Sequence, residues 1–300
     1  MACPFCKKVE YTGTVYPLHG FNGKEFRYVK CRGCRLVYLT PMPDESDYEA
    51  MYPPSYQSNE ADTSILADQY RKMPGLRFSY GYQYDLIRKF TGPGALILDY
   101  GCGTGHFIAN AMQNGFKCAG AEFNPDYVAI LKKGISGASF YLIGDLLEQK
   151  SGQQFDVIRL SNVLEHLADP VAVITRLKTY LRPGGLLLVE GPVEANFSLA
   201  RNFRCFYFRI KKLIKGKWLL PDPPYHIFFS DRKNQQQFFA DCGLKQVHFE
   251  VKEDAWPFPP TLAQAKGFTQ KLNAIVAKIS MATSRFFCRS AGNTFIYAGQ

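Results

Sequence analysis

The sequence lacks the features that would direct it out of the cytoplasm. It has no uninterrupted run of about 18 apolar residues, so we expect no membrane-spanning helix. Residues 1–6 do not show the basic and then apolar pattern of a signal peptide. Without an export signal, the nine cysteines are expected to be reduced thiols or metal ligands rather than disulfides. We therefore expect a cytoplasmic protein.

Acidic residues are absent from one stretch that holds much of the net charge of +10. Residues 201–217 carry seven basic side chains and no acid. Residues 1–60 carry equal numbers of acidic and basic residues. Residues 97–196 carry ten acidic and eight basic residues. A basic surface spread over a domain would favour nucleic acid as a partner. Here the excess is local, which makes nucleic acid a less favoured partner.

Four cysteines near the N-terminus have the spacing of a zinc site. They form two C-x-x-C pairs, Cys3 with Cys6 and Cys31 with Cys34. Residues 26–30 between the pairs alternate like a β-strand. Four thiolates leave no open position for water, so the pattern predicts a structural Zn²⁺ rather than a catalytic one. Coincidental reduced cysteines and a redox pair are the alternatives.

The length of 300 residues suits either one large domain or a medium domain with a small one. We predict a zinc-binding module and linker at residues 1–60 and a second domain at residues 61–300. Insertions are expected at about residues 193–230 and 252–293 of that domain.

The predicted linker is rich in proline and tyrosine. Its rings Tyr48, Tyr52 and Tyr56 are expected to pack on the neighbouring domain, with a role in a substrate pocket as the alternative. Arg71, Lys72 and Arg77 precede a predicted helix at residues 80–90. These three side chains are expected to face solvent. Contact with a substrate phosphate is the alternative.

The central motif of the chain is the stretch 95–105, Ala-Leu-Ile-Leu-Asp-Tyr-Gly-Cys-Gly-Thr-Gly. It predicts a buried strand that ends near Asp99, a loop with glycines at 101, 103 and 105, and the start of a helix. Glycines allow positive φ and let a ligand approach bare backbone, and the free amides at a helix start favour an anionic group.

Acids follow this loop at the ends of the next two predicted strands. Glu122 lies about 20 residues after the loop, where an acid can accept hydrogen bonds from ribose hydroxyls. Asp145 ends the strand after that. Further along come Leu164-Glu165-His166-Leu167 and Pro183-Gly184-Gly185.

Together these motifs resemble the class I methyltransferases that bind S-adenosylmethionine. The glycines run G-x-G-x-G, whereas a dinucleotide fingerprint has G-x-G-x-x-G, and His106 occupies its last position. The resemblance implies an α/β, Rossmann-like sheet of seven strands, with residues 244–251 and 294–298 as the last, antiparallel pair.

The resemblance also implies roles for the loop and the acids. The glycine loop would wrap the methionine part of the cofactor, Asp99 would hold its amino group, and Asp145 would contact the adenine amino group. We also expect Asn162, just after the fourth strand, to bind the cofactor.

The first insertion contains a predicted basic amphipathic helix within residues 197–218. Six apolar residues share one side, and five basic residues share the other. The apolar residues are Leu199, Phe203, Phe206, Ile210, Leu213 and Ile214, and the basic residues are Arg201, Arg204, Lys211, Lys212 and Lys215. Three interpretations remain open: a lid with its apolar face on the core, a helix at the inner membrane surface, or a site for a polyanion such as RNA.

Tyr225 and His226 follow a proline-rich loop and are the predicted catalytic pair. Histidine titrates near neutral pH and is the commonest general base. A similar Tyr-His pair is found in zinc-headed methyltransferases of sugar and natural-product pathways, which strengthens the assignment. We expect His226 to act as the base and Tyr225 to assist it. The alternatives are a structural His226, and His166 as the base.

The sequence therefore predicts an S-adenosylmethionine-dependent methyltransferase. The expected acceptor is a small molecule or glycan, such as a nucleotide-linked sugar or a precursor in polysaccharide biosynthesis. An rRNA or tRNA methyltransferase is the second interpretation. A non-catalytic zinc-headed binding protein is the third.

Overall fold

A computed structural model of the chain describes residues 2–53, 80–148, 154–253, 265, 267–284 and 290–300. The expectations for Tyr56, Arg71, Lys72 and Arg77 lie outside these residues, as does part of the second predicted insertion. None of the helices within the described ranges is long and apolar enough to cross a membrane.

The chain divides into two units, each assembled from separate segments. The first contains Met1–Asp47, Leu164–Val171 and Glu190–Tyr297, and the second contains Tyr48–Val163, Ala172–Val189 and Ala298–Gln300. The first unit thus combines the N-terminal segment with residues from much later in the sequence, most of them from Glu190 onward. The predicted domain boundary near residue 60 stays a prediction.

The first unit contains a small sheet built from the N-terminal segment and two later strands. Its strands are β1 (Tyr11–Gly13), β2 (Leu18–Phe21), β3 (Lys24–Cys31), β4 (Val37–Thr40), β10 (Leu219–Leu220) and β11 (Phe228–Phe229). The order is β10-β2-β3-β4-β11, and β1 pairs with β3. Strand β3 covers the stretch 26–30 predicted as a strand. Its buried Phe26, Tyr28 and Val29 contribute to the core.

The larger sheet has seven strands and confirms the predicted fold class. The strands are β5 (Leu96–Tyr100), β6 (Lys117–Glu122), β7 (Ser139–Leu142), β8 (Phe155–Ser161), β9 (Leu181–Pro192), β12 (Gln246–Lys252) and β13 (Thr294–Gly299). They lie in the order β12-β13-β9-β8-β5-β6-β7. Strand β5 pairs in parallel with β6 and with β8, and β6 pairs in parallel with β7. The carboxyl ends of these four strands therefore share one edge.

The described helices include those expected at residues 80–90, after the glycine loop and within residues 197–218. They are α1 (Glu45–Met51), α2 (Gly81–Arg88), α3 (His106–Gln113), α4 (Pro125–Gly134), α5 (Ile143–Glu148), α6 (Pro170–Lys178), α7 (Leu199–Lys215), α8 (Arg232–Asp241) and α9 (Gly267–Ser284). The Asn124 side chain caps α4 by accepting hydrogen bonds from the amides of Asp126 and Tyr127.

One boundary differs from the sequence pattern. Strand β9 begins at Leu181, although Pro183-Gly184-Gly185 predicts a turn that ends before Leu186. Gly184 has a φ of 74° within the strand. A residue with this φ is typical of a β-bulge, which a strand can contain without ending.

Helix α7 forms as predicted, but its apolar face does not lie on the core. Leu213 and Ile214 are 85% and 76% exposed, and none of its residues is fully buried. The basic side makes the protein contacts instead. Arg204 lies 3.8 Å from Glu194, and Lys212 donates to the Thr14 carbonyl at 3.3 Å. The expectation of a lid with its apolar face on the core is therefore wrong, because these polar partners orient the helix.

Helix α8 begins with a capping box that can be tested by substitution. The Asp231 side chain accepts from the Asn234 amide at 2.9 Å, and Asn234 Oδ1 accepts from the Asp231 amide at 3.0 Å. Replacing Asp231 with Ala should reduce the free energy of unfolding by about 1 kcal/mol, because a buried amide loses its acceptor. Urea unfolding followed by circular dichroism measures this.

The matched control lies at the other end of the same helix. Asp241→Ala removes a carboxylate that opposes the helix dipole at the C-terminus, so it should leave stability unchanged or slightly raised. Equal losses in the two variants would argue against a capping role for Asp231.

Candidate functional site

The glycine loop at the end of β5 has the backbone that its sequence predicts. Gly101, Gly103 and Gly105 all have positive φ, at 76°, 52° and 75°. A Cβ added at Gly101 would lie 2.5 Å from Val163 Cγ2. Both the backbone conformation and the close packing therefore require glycine at position 101. Gly105 is the N-cap of α3, so the loop leads directly into a helix start with free amides.

Glu122 is bound to this loop. Its side chain is buried, and its Oε2 accepts a hydrogen bond from the Gly103 amide at 2.7 Å. Its Oε1 accepts from the amides of Phe123 at 2.8 Å and Asn124 at 3.4 Å. A carboxylate has about four acceptor positions, so one remains for a ligand hydroxyl. The acid thus holds the loop and retains capacity for a ribose.

Asp99 forms a buried ion pair that the sequence does not reveal. Arg159 Nη1 lies 2.6 Å from Asp99 Oδ1, and both side chains are buried. Arg159 also donates from Nε to Gln83 at 2.7 Å and stacks over the Phe107 ring at 3.9 Å. Burial raises the pKa of Asp99, and the guanidinium opposes that change. Arg159 keeps the end of β5 polar without leaving an unpaired charge.

Asp145 and Asn162 also lie just beyond strand ends. Asp145 is exposed in the first turn of α5, three residues after Leu142, which pairs with Glu122. Asn162 directly follows β8 and has a φ of 52°, an uncommon conformation outside glycine. Asn162 precedes Val163, whose side chain lies next to Gly101. The four strand ends therefore carry the predicted cofactor-binding residues along one edge of the sheet.

The four predicted zinc ligands come together in the first unit. The sulfurs of Cys3, Cys6, Cys31 and Cys34 all lie within 4.8 Å of one another. Cys3 Sγ is 3.5 Å from Cys34 Sγ, and Cys6 Sγ is 3.6 Å from Cys31 Sγ. Thiolates about 2.3 Å from a tetrahedral zinc lie about 3.8 Å apart, so the cluster fits that ion. None of the four forms a disulfide.

His226 is bonded to a carboxylate that the sequence analysis missed. Its Nδ1 lies 2.6 Å from Glu194 Oε2, and Arg204 lies 3.8 Å from the other oxygen of Glu194. Burial lowers the pKa of His226, but the hydrogen bond and charge of Glu194 outweigh it and leave that pKa raised. This contact orients the imidazole with Nε2 as its free nitrogen, since no hydrogen bond to Nε2 occurs within the described residues.

Glu165 and His166 complete a four-residue cluster with His226 and Glu194. Burial raises the pKa of Glu165 to about 7, and burial together with the charge of His226 lowers the pKa of His166 to about 4. The His166 and His226 rings lie 4.9 Å apart, edge to face. His166 is therefore neutral near pH 7, with Nδ1 2.9 Å from the Tyr225 carbonyl.

Three of these residues could also hold a cation. Glu165, His166 and His226 each place one ligand atom within 4.8 Å of the others. The short bond between His226 and Glu194, and the opposite pKa shifts of the two histidines, favour proton transfer over metal binding.

The loop that carries Tyr225 and His226 is fixed by the small sheet. Strand β11 follows it directly and pairs with β4, with Phe228 opposite Tyr38 and Phe229 opposite Val37. The Tyr28 hydroxyl donates to the His226 carbonyl at 2.7 Å, and the Ile227 amide donates to the Glu165 carbonyl at 2.7 Å. The backbone around His226 is thus held from both sides.

Sequence reasoning missed Glu194, Glu165 and Arg159 as members of these sites. Glu194 is separated from His226 by 32 positions, and no periodic pattern links the two. The one available signal was that acids occur within a few residues of a strand end, with Glu194 two residues after β9 and Glu165 four residues after β8.

A family comparison agrees with the strand order and the glycine loop. A sequence model of a methyltransferase domain matches residues 79–248, which is more than half of the chain. The chain belongs to the class I S-adenosylmethionine-dependent methyltransferases.

Curated relatives match a shorter region. The ubiquinone biosynthesis O-methyltransferase of Cereibacter sphaeroides is 28% identical over 143 residues, which cover 46% of this chain and 54% of that protein. The enzyme of the same name from Dinoroseobacter shibae is 31% identical over 151 residues, which cover 47% of this chain and 60% of that protein. The chain spans about half the length of the curated relatives it matches.

Solved structures share the fold. The [4+2]-cyclase SpnF has a TM-score of 0.52 and 16% identity, with 87% of this chain and 97% of that chain covered. A chain from the complex between the Haloferax volcanii Trm112 methyltransferase activator and a methyltransferase has a TM-score of 0.50 and 14% identity, with 79% and 94% covered. Because one of these is a cyclase, the fold alone does not define the reaction.

Gly101 provides a direct test of the prediction that the glycine loop binds the cofactor. Gly101→Ala should weaken binding of S-adenosylmethionine by about tenfold or more, because the added methyl meets Val163 and the left-handed backbone disfavours it. Isothermal titration calorimetry measures the affinity. Gly92→Ala is the matched control, since its Cβ would meet no atom within 4 Å. Wild-type affinity in Gly101→Ala would contradict the assignment of this loop to the cofactor.

Proposed function

We propose that this chain transfers a methyl group from S-adenosylmethionine to a hydroxyl acceptor, with His226 as the general base and Glu194 as its orienting carboxylate. The observation that carries the proposal is the 2.6 Å contact between His226 Nδ1 and Glu194 Oε2 in a chain of the methyltransferase family. A base that is held by a carboxylate suits an acceptor that must lose a proton.

S-adenosylmethionine supplies a methyl group that is already activated as a sulfonium. In the proposed reaction, Glu122 and the glycine loop would hold the adenosyl and methionine parts, with Asp99, Asp145 and Asn162 as further contacts. His226 Nε2 would take the hydroxyl proton while the methyl group passes from the sulfonium to the acceptor oxygen. Glu194 stabilises the imidazolium that results.

His166 and Tyr225 have supporting roles in this proposal. His166 accepts no proton near pH 7, because its pKa is lowered to about 4. Its ring lies against His226 and its Nδ1 meets the Tyr225 carbonyl, so it positions the catalytic loop. We assign Tyr225 to the acceptor side of the loop, as the resemblance to sugar methyltransferases implies.

Two observations favour a small acceptor with a hydroxyl group. The curated relatives are named O-methyltransferases of ubiquinone biosynthesis, which supports oxygen as the acceptor atom. The resemblance carried by the Tyr-His pair favours a nucleotide-linked sugar or a polysaccharide precursor as the acceptor. An RNA acceptor is less favoured, because most of the excess of basic residues lies in one stretch, residues 201–217.

Substitution of His226 tests the proposed base. His226→Ala should reduce kcat by about 10²-fold or more while the affinity for S-adenosylmethionine stays unchanged. Transfer of a radiolabelled methyl group to a panel of hydroxyl acceptors measures kcat, and calorimetry measures the affinity. His248→Ala is the matched control and should keep full activity. Retention of full kcat in His226→Ala would remove this residue from the chemistry.

The pH dependence tests Glu194 separately. A base must be unprotonated, so kcat/KM should rise with pH through the raised pKa of His226, above its ordinary value near 6.5. Glu194→Gln removes the charge that raises this pKa, while burial continues to lower it. The acid limb of the profile should therefore move to lower pH. A limb that stays in place in Glu194→Gln would refute the role given to Glu194, whatever the variant's absolute activity.

We also propose that Cys3, Cys6, Cys31 and Cys34 hold a structural Zn²⁺. The close approach of their sulfurs supports this ion, and four thiolates leave no open position for a reaction. The site stabilises the small sheet: Phe5, between the first two cysteines, stacks on Phe238 at 4.4 Å, and the Cys34 carbonyl accepts from Asn234 at 2.5 Å.

Removal of one thiolate tests the zinc site. Cys6→Ser should lose about one zinc per chain by elemental analysis and lower Tm by roughly 5 °C or more, because metal binding contributes to folding. Cys205→Ser, outside the cluster, should retain zinc and Tm. A purified wild-type chain without zinc or another thiophilic metal would overturn the assignment.

A further inference from the structure

The strongest unexplained feature is the exposed apolar surface of α7. All six side chains of its apolar stripe are exposed: Leu199, Phe203, Phe206, Ile210, Leu213 and Ile214. Phe206 is 60% exposed, in addition to Leu213 at 85%. Single exposed apolar residues are normal, but a continuous stripe is typical of an interaction surface.

Helix α9 carries a second exposed apolar stripe, although the sequence analysis did not single it out. Leu272, Ile275 and Ile279 are exposed and recur at helical spacing on one face. Ala274 and Ala277 are buried on the opposite face, where small side chains allow close packing. The apolar residues of α9 therefore face away from the side on which that helix packs.

The two helices are held together. Ser280 of α9 accepts a hydrogen bond from the Ala200 amide of α7 at 3.2 Å and donates to Glu253 at 2.7 Å. The bond between Ala200 and Ser280 holds the first turn of α7 against the C-terminal half of α9. The stripes on α7 and α9 are thus parts of one folded unit and do not belong to independent segments. We name this pair of stripes the α7–α9 apolar surface.

Basic residues border the α7–α9 apolar surface, and acids are absent from both helices. On a helical wheel, Arg209 and Lys211 lie on either side of the α7 stripe, and Lys271 and Lys278 lie beside the α9 stripe. Neither helix contains an aspartate or glutamate. An apolar surface bordered by cations is complementary to a bilayer with anionic headgroups.

We propose that the α7–α9 apolar surface docks the protein onto an anionic phospholipid membrane, with both helices lying in the plane of the interface. The apolar side chains enter the boundary between headgroups and acyl chains. Arg209, Lys271 and Lys278 meet the lipid phosphates. The docking requires neither the cofactor nor an acceptor, so it is independent of the proposed reaction.

The observations favour a membrane over the two other occupants of such a surface. Binding to single-stranded RNA depends on aromatic rings that stack on bases, and the most exposed residues here, Leu213 and Ile214, are aliphatic. A symmetric contact between two copies would bring two acid-free basic helix pairs together, and like charges oppose that contact.

Vesicle sedimentation tests the docking in the absence of S-adenosylmethionine. Wild-type protein should sediment with vesicles that contain about one-third phosphatidylglycerol and should stay in solution with pure phosphatidylcholine. The double variant Leu213→Asp, Ile214→Asp should bind the anionic vesicles at least about tenfold more weakly, because two apolar anchors are lost. Ile279→Asp should also weaken binding, since α9 belongs to the surface.

Two controls separate docking from misfolding and from unspecific charge. Leu213→Met, Ile214→Met keeps the apolar character and should bind like the wild type. Lys278→Glu should weaken binding several-fold, whereas Lys133→Glu on the exposed side of α4 should not. Circular dichroism confirms that each variant is folded.

Four outcomes would overturn the proposal. The first is wild-type protein that does not bind anionic vesicles. The second is equal binding by the Asp and Met double variants. The third is a wild-type dimer in analytical ultracentrifugation that the Leu213→Asp, Ile214→Asp variant does not form, combined with no vesicle binding. This result would assign the surface to a second copy of the chain. RNA retention that needs Leu213 and Ile214, without vesicle binding, would likewise replace the membrane as the occupant.

Discussion

The pairing of β4 with β11 is the constraint on which the proposed chemistry depends. Two residue pairs join these strands, and the loop that carries Tyr225 and His226 ends where β11 begins. The Tyr28 hydroxyl donates a hydrogen bond to the His226 carbonyl, and the Ile227 amide donates one to the Glu165 carbonyl. The backbone of the loop therefore cannot shift without breaking the small sheet. A rigid backbone makes the contact between His226 and Glu194 reproducible, which a proton acceptor needs.

Much of the larger sheet could be predicted because its signals are local. Strand β5, the glycine loop and the start of α3 follow from a stretch of about a dozen residues, and the observed φ values agree with the glycines. The Asn124-Pro125 pair is an equally local signal for the cap and first residue of α4. The cysteine pairs also predict their own cluster, because each knuckle presents two sulfurs from one turn.

The remaining features could not be predicted because they depend on contacts distant in sequence. Amphipathicity showed that α7 has two faces, but not that Glu194 and the Thr14 carbonyl would orient its basic side toward the protein. The partners of His226 and Asp99 are 32 and 60 positions away from them. A single sequence carries no periodic signal for such pairs. The pKa shifts in the histidine cluster depend on burial, which also follows from the fold.

The composition of the small sheet has a consequence for protein engineering. Strands β10 and β11 come from residues 219–229, yet they form the two ends of a sheet whose other members lie before residue 41. The cysteine-bearing segment is therefore not a self-sufficient cassette. Its excision would remove the hydrogen-bonding partners of β10 and β11, and a chimera that grafts it elsewhere must also carry residues 219–229.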